Sequence, residues 1–253
     1  MKKQCKRCLI LVCCVCCLLF ALPQTALAVT DIAMEDSPWN HVWIYANDEI
    51  VVPNVVIIYL HGDGNSGYGL KGLEKFPKVD HPLRYARNDT LPLPDDTIFI
   101  CPQSGYDGEF RFKQEELTEF IHMIAEAYPD ALIILSGHSH GSLASYVMAA
   151  NGNDDVDGYV FISGIRPPES EEISLMQNCL VVFGDETWLS KRGDYSNLFL
   201  KTDISDMEYR KECTYLEEES NNGYIRGRWG HGDAPKVFLE DFFWEWLNNI
   251  SYN

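Results

Sequence analysis

The stretch ALIILSGHSHGSLASYVMAA, residues 131–150, decides the fold. It opens with Ala131-Leu132-Ile133-Ile134-Leu135, an apolar run that is continuous rather than alternating, as in a strand covered on both faces of a parallel sheet. It closes with Gly141 to Ala150, small and apolar residues suited to a helix lying tightly on that sheet. Between them stands Gly137-His138-Ser139-His140-Gly141, which fits G-x-S-x-G in the strand–turn–helix setting that this motif requires. The glycines let the backbone turn sharply with no Cβ in the way. Ser139 is then pushed out at the carboxyl end of the sheet, over a helix N-terminus whose dipole favours negative charge. Ser139 is the candidate nucleophile.

The same pattern repeats on either side. Val55 to Leu60, Thr97 to Cys101, Tyr159 to Ile162 and Cys179 to Phe183 are further buried-strand runs separated by helix-length segments. His41 to Ala46 and Glu49 to Val52 alternate and read as edge strands. Gln114 to Tyr128 places Leu117, Phe120, Ile121, Ile124 and Ala125 on one helical face and stops at Pro129, and Pro235 to Ile250 reads as one last helix. Strands alternating with helices give an α/β fold with a mostly parallel central sheet and helices on both faces. Residues 187–227 are polar and aromatic; Cys213 to Leu216 reads as a last strand and the remainder as loop or short helix.

The chain has 253 residues, 46% hydrophobic and 12% aromatic, enough for a full core and against disorder. Thirty-eight Asp+Glu against 20 Lys+Arg give a formal net charge of −18, which argues against nucleic acid or an anionic membrane as partner. The N-terminus reads as a leader: Lys2, Lys3, Lys6 and Arg7, an apolar stretch from Leu9 to Leu22, Pro23, then Ala26-Leu27-Ala28 as a cleavage site. The expectation is a signal peptide over 1–28, cleaved after Ala28, export to the cell envelope or beyond, and a single domain over 29–253. The apolar stretch is short for a membrane span, which needs roughly 20 residues, so no stable span is expected after cleavage. Six of the nine cysteines (Cys5, Cys8, Cys13, Cys14, Cys16, Cys17) lie in the leader. Cys101, Cys179 and Cys213 form no C-x-x-C pair, so they are not a metal cluster. They read as buried apolar residues, with a Cys179–Cys213 disulfide as the alternative.

A serine needs a base and an acceptor for the oxyanion of its tetrahedral intermediate. His61-Gly62-Asp63-Gly64 directly follows a buried strand, and such a glycine-rich turn presents main-chain donors. The donors assigned are the N–H of Asp63 and the N–H of His140, the residue after the nucleophile. The chain order in this architecture is serine, acid, histidine. Of the seven histidines only His231 lies beyond the elbow, in Gly230-His231-Gly232-Asp233, so it is the base almost by elimination. The acid should end a strand between the two. Asp185 follows Leu180 to Gly184 and fits; Glu186 is the fallback, and Asp194 and Asp203 fall in the irregular region. His61 and Gly62, with Trp188 and Tyr195 after the acid, are candidate pocket residues, although His61 in such a turn more often fixes loop geometry.

His61-Gly62-Asp63-Gly64, Ile100-Cys101-Pro102-Gln103, Gly137-His138-Ser139-His140-Gly141, Gly184-Asp185 and Gly230-His231-Gly232 together resemble the α/β-hydrolase superfamily. Within it they resemble the small esterases, acyl-thioesterases and polyhydroxybutyrate-depolymerase-like enzymes, over about residues 50–250. The resemblance implies an α/β-hydrolase fold with an eight-stranded type of sheet and a Ser139–Asp185–His231 triad. It also implies a serine hydrolase cleaving a carboxylic ester or thioester through an acyl-enzyme, on a small-molecule or acylated substrate, with neither cofactor nor metal. The short mature chain leaves no room for a large cap domain. Asp63 departs from the pattern: a carboxylate stands where the family more often has an apolar or small residue, and pointing inward it would oppose the developing charge. Two alternatives stand beside this reading. One is a metallophosphoesterase-like hydrolase using Gly137-His138-Ser139-His140 as a G-H-x-H metal motif, although its upstream D-x-H and N-H-E partners do not occur. The other is a non-catalytic α/β-hydrolase fold used for binding.

Overall fold

The computed structural model describes residues 30–32, 41–46, 52–63, 81–88, 90–104, 112–163, 177–185, 213–216 and 221–250. The strands are β1 (Thr30–Ile32), β2 (His41–Ala46), β3 (Val55–Leu60), β4 (Thr97–Gln103), β5 (Leu132–His138), β6 (Gly158–Ile162), β7 (Cys179–Asp185), β8 (Cys213–Leu216) and β9 (Gly223–Gly230). The helices are α1 (Pro82–Arg87), α2 (Gln114–Ala127), α3 (His140–Asn151) and α4 (Asp241–Asn248), with a 3-10 helix over His231–Leu239. The strands form one sheet in the order β1-β2-β4-β3-β5-β6-β7-β9-β8. From β4 through β9 every neighbouring pair is parallel; β1, β2 and β8 join antiparallel.

The continuous apolar runs have the cause inferred from them. Along β3, Val56, Ile58 and Leu60 enter one core with Leu117, Phe120, Ile121 and Ile124 of α2 and Ala144, Tyr146 and Met148 of α3. Val55, Ile57 and Tyr59 enter the opposite core with α1, the 3-10 helix and α4, through Leu83, Val237, Phe238, Phe243 and Trp246. Both faces of the sheet are therefore covered, and a strand so placed must be apolar at every position.

Several expectations change. The sheet has nine strands among the described residues rather than eight. His41–Ala46 is not an edge: β1 lies outside it, and Val42, Trp43, Ile44 and Tyr45 are all buried. Glu49 to Val52 falls mostly outside the described residues, and Val52 is exposed and in no strand. Cys213–Leu216 is a strand, but the last one is β9, in a segment expected to be loop. β9 inserts between β7 and β8. Cys179 is consequently a free, buried thiol at the start of β7, one strand away from β8, and it forms no disulfide with Cys213. Burial pushes its pKa up. The single helix expected over 235–250 is two pieces that part at Glu240, whose extended backbone (φ −96°, ψ 133°) separates the 3-10 helix from α4. Among the described residues no helix is long and apolar enough to cross a membrane. The expected leader over 1–28, Glu186, Trp188, Tyr195, Asp194 and Asp203 lie outside the described residues.

Candidate active site

The strand order explains where a site can form. The chain runs from β3 to β4 on one side, then returns to place β5 on the other side of β3. Turns leaving the carboxyl ends of β3 and β5 diverge and leave a crevice between them, the place where open α/β sheets bind ligands. His61 to Asp63 leave the end of β3, Ser139 the end of β5, Asp185 ends β7, and His231 follows the end of β9.

At the β5–α3 junction Ser139 adopts φ 55°, ψ −112°, a left-handed conformation that a residue with a Cβ rarely takes. Its own N–H donates to Ile162 O at 2.9 Å, so the turn is pinned to β6. The two motif glycines are needed for close approach. A Cβ on Gly141 would land on the carbonyl of Leu60, and one on Gly137 would land on the carbonyl of Gly141 and 2.6 Å from Ser142 N. The strain at Ser139 is thus over-determined by backbone packing around it.

His231, first residue of the 3-10 helix, places Nε2 3.1 Å from Ser139 Oγ. A hydroxyl at that distance can pass its proton to a neutral ring nitrogen. Asp185 is the last residue of β7, and its backbone pairs with Gly230, the residue preceding His231, across an irregularity between Phe183 and Asp185. Ser139 and His231 are brought into contact, and Asp185 stands one strand position from the histidine.

His138 supports this pair from beneath. Its Nε2–H donates to the carbonyl of His231 at 2.8 Å, and the two rings lie 5.0 Å apart at 43°. Burial, and then the neighbouring His231, hold its pKa down to about 3, so the ring is neutral and its Nδ1 carries a lone pair. That Nδ1 is buried with no hydrogen-bond partner. His61 is also buried, and its ring is engaged at both nitrogens. Nδ1–H donates to Gly62 O at 2.7 Å, and Nε2 accepts from Ser104 N–H at 3.0 Å. The ring therefore ties the turn after β3 to the end of β4. Gly62 lies against Ser139: a Cβ there would stand 3.0 Å from Ser139 Cβ. Asp63 and His140, the two assigned main-chain donors, meet through their side chains, with Oδ2 and Nδ1 2.7 Å apart. The N–H of His140 is in the first turn of α3 and has no partner within the helix. The two rings of the G-H-x-H sequence thus go to different partners, His138 to a carbonyl and His140 to a carboxylate.

Sequence reasoning missed Ser104 and Ser163. Ser104 follows directly on Ile100-Cys101-Pro102-Gln103, and a polar residue at the carboxyl end of an inner strand was the available signal. Ser163 occupies the same position on β6, with φ 46°, a side chain fully buried and an Oγ without a hydrogen-bond partner. No local pattern marks it.

No protein-family model matches the chain, and no curated protein matches it in sequence. Solved structures do match in fold. A thermostable esterase aligns with a TM-score of 0.56 at 11% identity, over 87% of this chain and 62% of that one, so this chain spans less than two thirds of its length. Acetyl xylan esterase from Aspergillus awamori aligns at 0.54 and 14% identity, over 88% and 99% of the two chains. S-formylglutathione hydrolase from Staphylococcus aureus aligns at 0.52 and 13% identity, over 91% and 99%. The chain has the α/β-hydrolase fold.

Proposed function

We propose that this α/β-hydrolase-fold chain is an exported serine hydrolase that cleaves a carboxylic ester or thioester of a small or acylated molecule through an acyl-enzyme. The observation that carries the reading is the 3.1 Å approach of His231 Nε2 to Ser139 Oγ, at a serine held in a strained strand-to-helix turn. His231 takes the hydroxyl proton as Ser139 Oγ attacks the acyl carbon. The N–H groups of Asp63 and His140 receive the oxyanion. The imidazolium then protonates the leaving alkoxide or thiolate, and water repeats the cycle on the acyl-enzyme. Asp185 holds the imidazole in its working tautomer. The chemistry requires neither cofactor nor metal. Cleavage after Ala28 would leave every strand of the sheet intact, since β1 begins at Thr30.

The test is covalent labelling of the protein, produced from the full chain, with a fluorophosphonate probe. Wild type is expected to label at Ser139, Ser139→Ala not at all, and His231→Ala at a rate lowered by roughly 1,000-fold or more. Folded wild-type protein that fails to label overturns the serine-hydrolase reading. The G-H-x-H metal reading would then predict a stoichiometric bound metal, and the binding-protein reading ligand retention without turnover.

A further inference from the structure

Asp63 and His140 come from different parts of the chain and have one thing in common: the proposed oxyanion site uses the main-chain N–H of each. Their side chains meet at 2.7 Å, with His140 44% and Asp63 46% exposed. A carboxylate only accepts hydrogen bonds, so the proton on that contact belongs to Nδ1 of His140. The contact spans the crevice between the turn after β3 and the first residue of α3. That turn is already tied at its other side, where His61 accepts the N–H of Ser104 at the end of β4. Between the two ties, Gly62 lies close enough to Ser139 that even a Cβ would press on it.

We propose that the Asp63–His140 side-chain contact positions the oxyanion site by fixing the separation of the two main-chain donors. The proposal rests on the serine-hydrolase reading above. Asp63 and His140 serve here as positioning residues through their side chains, distinct from the role of their backbones. The arrangement also resolves the departure at Asp63. Its carboxylate is engaged by an N–H from His140 rather than standing bare beside a developing negative charge. An exposed pair of this kind contributes little to stability. Its effect should therefore appear in the rate, where donor placement counts heavily, because each oxyanion donor is worth about 100-fold or more.

The experiment measures kcat and KM for p-nitrophenyl acetate, corrected for the Ser139→Ala background, with thermal unfolding of every variant. Asp63→Ala and His140→Ala are each expected to lower kcat by about 10-fold or more with KM within about twofold, because the transition state rather than bound substrate is affected. Asp63→Asn, which keeps an acceptor for Nδ1–H, should recover most of the loss. The double Ala variant should be no slower than the slower single one, since the two residues act as one device. Unchanged kcat in folded Asp63→Ala overturns the proposal, as does full additivity in the double variant. If Asp63→Ala unfolds, the His140→Ala and Asp63→Asn comparison decides. Wild type that neither labels with fluorophosphonate nor turns over the ester overturns the underlying reading, and this inference falls with it. Labelled wild type with insensitive variants overturns this inference alone.

Discussion

A Cβ added at Gly62 would stand 3.0 Å from both Ser139 Cβ and His138 Nδ1, whereas one added at Gly141 would fall onto the carbonyl of Leu60. The first intrusion is slight, at 3.0–3.3 Å from Ser139 Cβ and from the ring and carbonyl of His138, and asks them to give by a few tenths of an ångström; the second overlaps backbone outright within two packed elements. Gly62→Ala should accordingly cost about 1 kcal/mol of stability or less but slow fluorophosphonate labelling at least 10-fold, since small misplacements of reacting groups are expensive. Gly141→Ala should cost about 3 kcal/mol or more in urea unfolding. Equal effects of the two on both measurements would refute this division. His138 makes a separate prediction about pH. Burial lowers its pKa to about 3 in the folded protein, against about 6.5 in the unfolded chain. Between those values only the unfolded chain binds the proton, so stability is full above pH 6.5 and is lost as pH falls toward 3. His81, lowered by burial, acts in the same direction. His122 acts oppositely, its pKa raised by the hydrogen bond it donates to the Asp155 carboxylate, but it is exposed and screened. Each pKa unit is about 1.4 kcal/mol, so His138 should account for a loss of about 2 kcal/mol by pH 5. Urea midpoints at pH 7.5 and pH 5 should show that loss, and His138→Gln should flatten it; an unaltered slope in the variant would exclude His138 as the cause.

The inner strands were legible because burial on both faces leaves a local mark: Val55 to Leu60 is apolar at every position, and all six residues are buried. β9 left a weaker one. Tyr224, Arg226 and Arg228 interleave with Ile225, Gly227 and Trp229, so neither a continuous run nor a clean alternation appears. Asn221-Asn222-Gly223, a turn signal just ahead of it, was the readable clue. That turn also ties β7 and α4 to the start of β9. Asn222 Oδ1 accepts the N–H of Cys179 at 2.9 Å where β7 begins, and Trp246 Nε1–H of α4 donates to Asn221 O at 2.9 Å. Asn222→Leu should leave the buried Cys179 N–H without its acceptor and cost about 1–3 kcal/mol, read as a lower denaturation midpoint. A midpoint unchanged within error would show that this link does not hold β7 to the turn. In the candidate site, the two residues that meet at 3.1 Å were each singled out in the sequence, Ser139 by its motif and His231 by elimination along the chain order. The Asp63–His140 contact was not, because it depends on β3 and β5 lying side by side, which topology decides and spacing does not show.

At the scale of the whole molecule the dominant fact is a formal net charge of −18, and a leader carrying four cations (Lys2, Lys3, Lys6, Arg7) and no acid would leave the remainder more acidic still. Such a field lowers the local concentration of anions at any opening on the surface and leaves neutral molecules untouched. The ratio kcat/KM includes that partition, so it carries the effect whether or not encounter limits the rate. Salt removes it, because the screening length falls from about 30 Å at 0.01 M to about 8 Å at 0.15 M. For matched p-nitrophenyl esters, raising NaCl from about 10 to about 150 mM should increase kcat/KM for an anionic hemisuccinate several-fold. It should change the neutral acetate by less than about twofold and lower the value for a cationic acyl ester. The Asp63 carboxylate is too local to produce this pattern: neutralising it as Asp63→Asn should leave the different salt responses of the three esters in place. An identical salt response for the three would mean that the acidic residues lie away from the mouth of the crevice and that the charge serves solubility alone.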